Sequence, residues 1–179
     1  RNLGSGRAHV KLYESATLVV TRTIVGGEQV IRLEAPGPKK EGSEWEYGVP
    51  LADSARIVEI PEIKARILVE SAGLEEFHAL RGDDRLIFIA IPAEIGYISF
   101  RNRRPGDHVT LEQGRKKLKD MYIENKLDTA RKNDIPLVVA DGRIAAVMLG
   151  LATGLKHRVS SDFFVHEDSK RILALSAMN

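Results

Sequence analysis

The feature that most constrains the fold is a series of short apolar runs, rich in β-branched residues and separated by turn-forming residues. Each run is too short for a typical helix and is bounded by Gly, Pro, Asp or Ser, which is typical of β-strands. The runs in the first hundred residues lie at 17–25, 29–33, 57–60, 65–70 and 85–91. The first half of the chain is therefore predicted to be mainly antiparallel β-sheet.

Two dipeptides predict β-hairpins. Gly26-Gly27 separates the first two runs, and Asp141-Gly142 separates the apolar runs 136–140 and 144–150. Glycine accepts the positive φ that tight hairpin turns need, and Asp-Gly is among the strongest hairpin signals. A last strand is predicted at residues 170–175, and at most two helical turns at residues 129–133.

One main helix is predicted at residues 115–126. Leu118, Met121, Tyr122 and Asn125 recur at helical spacing and would form one mostly apolar stripe. Together with the strands, this helix predicts an α+β fold that is predominantly antiparallel β.

The segment at residues 35–50 is rich in Pro, Gly, Lys and Glu and is predicted to be a loop. Within it, Trp45 and Tyr47 alternate with Glu44 and Glu46, as in a short edge strand. These aromatic residues would either pin the loop to the sheet or stack on a base. The neighbouring glutamates favour the first interpretation, because they repel phosphate.

Positive charge is concentrated in one short stretch. The chain has a net charge of +2, but residues 101–119 alone contain seven Lys or Arg and two Asp or Glu. Pro105-Gly106 predicts a type II turn directly after the arginines, with Asp107 bonding back to the turn amides. In the predicted helix, three basic residues would occupy the first turn, where the helix dipole disfavours cations. An anion such as phosphate bound there would explain this arrangement.

Other features exclude some classes of site. The chain has no cysteine, which rules out disulfides and thiolate metal sites. The five histidines show no metal-ligand spacing, and Asp107-His108 is more typical of turn capping than of an acid–base pair. No apolar run could span a bilayer, so we expect a cytoplasmic protein without membrane contact. Since the chain begins at Arg1 rather than at a methionine, we expect it to be part of a longer protein.

The same residues carry a family resemblance. Residues 85–179 are similar to the C-terminal region of bacterial tRNA(Ile)-lysidine synthetase, whereas residues 7–84 resemble the preceding segment more loosely. The resemblance rests on Arg101-Asn102-Arg103-Arg104-Pro105-Gly106-Asp107, Lys116-Lys117-Leu118-Lys119-Asp120, Lys126-Leu127, Ile135-Pro136-Leu137 and Val147-Met148-Leu149-Gly150. It divides the chain into a β-rich linker or first subdomain at residues 1–84 and a tRNA-binding subdomain at residues 85–179.

The resemblance implies an ATP-dependent ligase that adenylates the wobble cytidine of an isoleucine tRNA and attaches lysine to it. The family's catalytic domain precedes this region and has a Ser-Gly-Gly-x-Asp-Ser loop, which this chain lacks. ATP with magnesium and lysine are therefore expected at that N-terminal domain, with no cofactor here. The resemblance further implies a sandwich-like domain resembling one in the phenylalanyl-tRNA synthetase β chain, which binds the acceptor-stem side of the tRNA(Ile) precursor.

The resemblance assigns tRNA binding to six basic residues and no catalytic residue to this chain: Arg101, Arg103, Arg104, Lys116, Lys117 and Lys119. The chain departs from the family pattern at His108, Asp128, Lys132 and Ala152. Ala152 removes an expected cation, for which Lys156, His157 and Arg158 are placed to compensate.

Two alternatives remain open at this level. The basic face would also suit a protein-interaction module that docks an acidic partner, and exposed β edges would allow a homodimer. The second alternative is an autonomous enzyme, although no residue pattern here indicates a nucleophile or a metal centre. In the interpretation that we favour, the partners are the tRNA and the chain's own N-terminal catalytic domain.

Overall fold

The computed structural model describes residues 10–15, 18–25, 28–34, 44–51, 54–127 and 129–178. The chain divides into two compact units, Arg1–Trp45 and Glu46–Asn179. The boundary predicted at residues 84/85 falls inside the second unit. A single sheet crosses that boundary, because strands on both sides of it are hydrogen-bonded to one another.

The first unit contains a three-stranded antiparallel sheet. Its strands are β1 (Val10–Ser15), β2 (Leu18–Val25) and β3 (Glu28–Glu34), paired in that order. Val25 pairs with Glu28, as the predicted hairpin requires, whereas its turn at Gly26-Gly27 lies outside the described residues.

The second unit contains the remaining described elements. Its strands are β4 (Glu46–Pro50), β5 (Arg56–Ile60), β6 (Ala65–Ala72), β7 (Leu86–Ala90), β8 (Tyr97–Arg101), β9 (His108–Leu111), β10 (Gly114–Lys117), β11 (Leu137–Ala140), β12 (Arg143–Val147), β13 (Arg158–Val159) and β14 (Ile172–Met178). Its helices are α1 (Leu74–Leu80), α2 (Leu118–Glu124), α3 (Thr129–Lys132) and α4 (Leu149–Thr153), with 3₁₀ turns at Pro61–Ile63 and Ser161–Phe163. None of these described helices has the length and apolarity needed to cross a bilayer.

The strands of the second unit form two larger sheets and a separate hairpin. One sheet has five strands in the order β13-β12-β11-β8-β4, the other has four in the order β5-β6-β14-β7, and β9 pairs with β10. Every strand pair in the described residues is antiparallel. The predicted α+β class with predominantly antiparallel sheet is confirmed.

The predicted edge strand around Trp45 and Tyr47 is also confirmed. β4 lies at the edge of the five-stranded sheet, and its residues alternate between exposed and buried. Tyr47 is 1% exposed, and its hydroxyl donates to Glu62 at 2.5 Å, while Ser99 donates to Glu46 at 2.7 Å. Because Trp45 and Tyr47 are both buried, the alternative of base stacking by these rings is wrong.

The Asp141-Gly142 hairpin forms as predicted. Both residues have positive φ, 49° and 69°, which is the geometry of a type I′ turn. The following strand is shorter than predicted, because its pairing ends at Val147 and Leu149 begins helix α4. Leu149 is fully buried, so this end of the apolar run reaches the core as a helix rather than as a strand.

The buried stripe of α2 is the one predicted from the sequence. Leu118, Met121 and Tyr122 pack in one cluster with residues of β9, β11 and β12. Helix α1 was not predicted; its Leu74 and Phe77 cover Phe88 of the four-stranded sheet. Each larger sheet therefore has a short helix on its apolar face.

Candidate nucleic-acid interface

The turn after β8 is held by Asp107. The Asp107 carboxylate accepts a hydrogen bond from the backbone N–H of Arg104 at 2.7 Å. The backbone N–H of Asp107 donates in turn to the Arg104 carbonyl at 3.2 Å. Gly106 has φ +88°, which a glycine adopts without strain. The predicted Pro-Gly turn, with Asp107 bonded back to a turn amide, is confirmed.

Arg101 forms a buried ion pair with the same carboxylate. Two of its guanidinium nitrogens donate to the two Asp107 oxygens at 2.8 Å, and the Arg101 and Asp107 side chains are only 8% and 12% exposed. Burial would raise the pKa of Asp107, but the hydrogen bonds from Arg101 and Arg104 outweigh it and hold that pKa below its usual value. Arg101 therefore fixes the turn, and its guanidinium does not face solvent.

The prediction that residues 115–117 begin the helix is wrong. Gly114 has φ +113° and reverses the chain, so that Arg115, Lys116 and Lys117 pair with β9. The hairpin buries Val109 against α2, and this packing outweighs the good helix propensity of Arg and Lys. Helix α2 starts at Leu118, whose N–H donates to the Asp107 carbonyl at 2.9 Å. The three basic residues predicted for its first turn therefore lie in strand β10 instead.

The basic residues lie instead on a surface that we call the basic hairpin, residues 103–119. Successive side chains of a strand point to opposite faces, so Arg115 and Lys117 share one face of β10 and Lys116 faces the other way. Arg115 and Lys117 are exposed, whereas Lys116 is partly buried and pairs with Glu124 of α2. Lys119, in the first turn of α2, is exposed as well.

The partners of these cations differ. Arg104 donates to Glu46 at 2.8 Å, and Arg103 donates to the side chain of Asn133 at 3.0 Å. Arg115 lies 2.9 Å from Nδ1 of His108. In the part of the chain that the structure describes, the side chains of Lys117 and Lys119 make no hydrogen bond or ion pair. Of the six predicted residues, these two are the most accessible to a phosphate.

A cleft of about 610 Å³ lies beside the basic hairpin. It runs between the turn after β8, strand β10 and the β11–β12 hairpin, and its basic side chains include Arg115 and Arg143. The Arg143 guanidinium lies 5.1 Å from the ring centroid of Phe163, and Asp162 is 3.8 Å away. Arg143 was not among the residues predicted from the sequence, although its position directly after the Asp-Gly turn places it at an exposed strand start.

The remaining titratable groups near the basic hairpin have structural partners or are buried. Asp107 faces Arg101 and His108 faces Arg115, so these neighbours do not form an acid–base pair. Tyr122 is fully buried and its hydroxyl has no hydrogen-bond partner among the described residues; burial raises its pKa. The described residues contain no group of three or more His, Asp or Glu placed to hold a metal ion. The arrangement is suited to binding an anionic polymer.

Comparison with known proteins gives a consistent result. Residues 98–169 match the family of the TilS substrate C-terminal domain. The tRNA(Ile)-lysidine synthase of Clostridioides difficile (strain 630) is 25% identical over 136 residues, which cover 76% of this chain and 27% of that protein. The chain thus spans about a quarter of that relative.

A crystal structure of a TilS C-terminal domain is similar to the present fold. The TM-score is 0.56 with 25% sequence identity, over 75% of this chain and 99% of that structure. The matched family includes the turn after β8, the basic hairpin and α2. Family, relative and fold agree, and they confirm that this chain resembles the C-terminal region of bacterial tRNA(Ile)-lysidine synthetase.

Proposed function

We propose that this chain binds transfer RNA through the basic hairpin. The observation that carries the proposal is the exposure of Arg115, Lys117 and Lys119 along one hairpin and the helix that follows it. Contacts from Lys and Arg to phosphates dominate the affinity of proteins for nucleic acids. Arg143 extends the positive surface into the neighbouring cleft.

The six residues predicted from the sequence have different roles in this proposal. Lys117 and Lys119 contact phosphates directly. Arg103 and Arg104 lie beside them, but a phosphate must compete there with Asn133 and Glu46. Lys116 lies on the opposite face of β10, paired with Glu124, and contributes charge rather than a direct contact. Arg101 contributes by holding the turn on which the others are displayed.

The RNA feature read by such a surface is its shape. An A-form stem hides its base edges in a deep, narrow major groove, so lysines on a hairpin contact the sugar–phosphate backbone. The proposed ligand is the acceptor-stem side of an isoleucine tRNA precursor. Clamping the stem would position the distant wobble cytidine at a catalytic domain, where lysine is attached in an ATP-dependent step. We assign neither ATP nor magnesium to residues of this chain.

The test is a fluorescence anisotropy titration with the tRNA precursor and with its isolated acceptor-stem hairpin. For the intact chain we expect saturable binding of both, with a log–log salt slope of about −3 to −6 as several counterions are released. The Lys117→Ala/Lys119→Ala variant should bind both RNAs more weakly, with a slope smaller in magnitude by about 2.

The matched control is Arg56→Ala/Lys170→Ala, which removes the same charge from exposed positions outside the basic hairpin. Equal affinities of the two double variants would contradict the proposal, because net charge rather than the hairpin would then govern binding. Absence of RNA binding by the intact chain would favour an acidic protein as the partner of this surface.

A further inference from the structure

A second cleft, separate from the basic hairpin, has a different chemistry. It has a volume of about 480 Å³ and lies between the end of α1, strand β7 and the segment around β13. Its walls combine aromatic rings with charged groups, and we call it the aromatic cleft: Phe77, Arg81, Asp84, His157, Arg158 and Phe164. The volume is within the range of small-ligand pockets.

The charges in this cleft are unevenly compensated. Arg85 holds the Asp83 carboxylate at 2.6–3.2 Å, and Lys156 holds Asp84 at 3.1 Å. The guanidinium groups of Arg81 and Arg158 have no ion pair or hydrogen bond in the described part of the chain, and both residues are exposed. The cleft therefore offers two guanidinium groups to an anion.

The aromatic side of the cleft is packed against neighbouring residues. Phe77 packs edge-on against Phe88 with ring centroids 5.5 Å apart. The imidazole of His157 lies on Gly150, where an added Cβ would be 2.8 Å from Nε2, so only glycine leaves room for the ring. Phe164 is half-buried at the same cleft.

Burial lowers the pKa of His157, and the nearby Asp84 only partly offsets this. This shift favours the neutral form of the His157 ring, which lines the same cleft as Phe164.

We propose that the aromatic cleft binds one unpaired nucleotide, with its base against Phe164 and His157 and its phosphate on Arg81 and Arg158. Stacking on aromatic rings tolerates any base, and guanidinium groups recognise phosphate by paired N–H donors. Asp84 lines the same cleft, where its carboxylate is paired with Lys156.

The chemistry required is an aromatic base that carries a phosphate. It is supplied either by an unpaired residue of an RNA or by a free nucleotide, and we favour the RNA. That choice rests on the proposed function, because the basic hairpin would bind the adjoining duplex.

The experiment compares two RNA hairpins with the same duplex, one blunt and one with a four-nucleotide 3′ overhang, by fluorescence anisotropy. For the intact chain, the overhang should tighten binding at least about fivefold, the gain from roughly one stacked base. Arg158→Ala and Phe164→Ala should each remove most of that gain, and Phe164→Ala should leave the blunt hairpin's affinity unchanged. Lys117→Ala/Lys119→Ala should weaken both RNAs by the same factor.

A separate titration with adenosine monophosphate, followed by NMR, tests the cleft without RNA. Binding that Arg158→Ala abolishes, without an overhang effect, would identify a free nucleotide as the source and overturn the RNA assignment. If the intact chain binds the nucleotide but not the blunt hairpin, the proposal that the basic hairpin binds RNA is refuted, whereas the proposal that the cleft binds a nucleotide is not. If neither the overhang nor the nucleotide binds, the cleft proposal is overturned. Circular dichroism of each variant checks that the fold is retained, and Arg158→Lys serves as a second variant that keeps the charge.

Discussion

Replacing Arg101 by methionine should destabilise the protein more than most single substitutions, since it removes one partner of a buried ion pair. The Asp107 carboxylate would lose two hydrogen bonds of 2.8 Å while remaining 12% exposed, and the carbonyl of Asn102 would lose a third at 2.9 Å. Removing one member of such a pair costs about 3–5 kcal/mol, because the other charge stays buried without compensation. We expect a decrease of that size in the free energy of unfolding.

The assay is urea denaturation followed by far-ultraviolet circular dichroism for four proteins that form a double-mutant cycle. Arg101→Met/Asp107→Leu should be more stable than Arg101→Met alone, because no charge is left buried in the double variant. The double variant would still lack the hydrogen bond from the Arg104 N–H to Asp107, which contributes about 1 kcal/mol. Additive effects of the two substitutions, or a cost below about 1 kcal/mol for Arg101→Met, would refute the assignment of Arg101 to the turn.

The pH dependence provides an independent check. The pKa of Asp107 is lowered in the folded state, so its contribution to stability is present above its unfolded pKa of about 3.9. That contribution is lost as the pH falls through the lower folded pKa. The stability difference between the intact chain and Arg101→Met should therefore be full at neutral pH and decrease in acid below about pH 4. A difference that stays constant down to about pH 2 would contradict this linkage.

Two further predictions concern other parts of the second unit. Gly150→Ala should destabilise the fold by about 1–3 kcal/mol in urea denaturation, because the new Cβ would lie 2.8 Å from the His157 ring. Adding His157→Ala should restore most of the lost stability. An unchanged cost in the double variant would contradict this explanation. Tyr47→Phe should cost about 1 kcal/mol through the lost hydrogen bond to Glu62. Burial raises the pKa of Tyr47, so spectrophotometric titration of the folded chain to about pH 11 should be the same with and without this substitution.

The strands were predictable where local chemistry and burial agree. The alternation around Trp45 and Tyr47 reports one buried face, and Asp141-Gly142 meets the requirement for two positive φ angles. The apolar stripe of α2 was also visible, because Leu118, Met121 and Tyr122 repeat at helical spacing. In each case the signal lies within a few residues of the element that it describes.

The start of α2 was not predictable in this way. Arg115, Lys116 and Lys117 favour a helix locally, but pairing with His108, Val109 and Thr110 places them in a hairpin. The same limit applies to Arg101, because a sequence does not reveal that Asp107 turns back to meet its guanidinium. Arg143 joins the site only through the packing of separate hairpins. These features depend on contacts between elements rather than on local propensity.

The position of β14 affects the order in which the second unit can form. Strand β14 (Ile172–Met178) lies between β6 and β7 in the sheet. Although β6 and β7 are successive strands in the sequence, each pairs with β14, which is synthesised about a hundred residues after β6. During synthesis, β5, β6 and β7 leave the ribosome long before their central partner. Closing so large a loop is entropically costly and slows folding. The four-stranded sheet is therefore completed only once β14 has been made, and until then the backbone groups of β6 and β7 that pair with β14 are open to other strands.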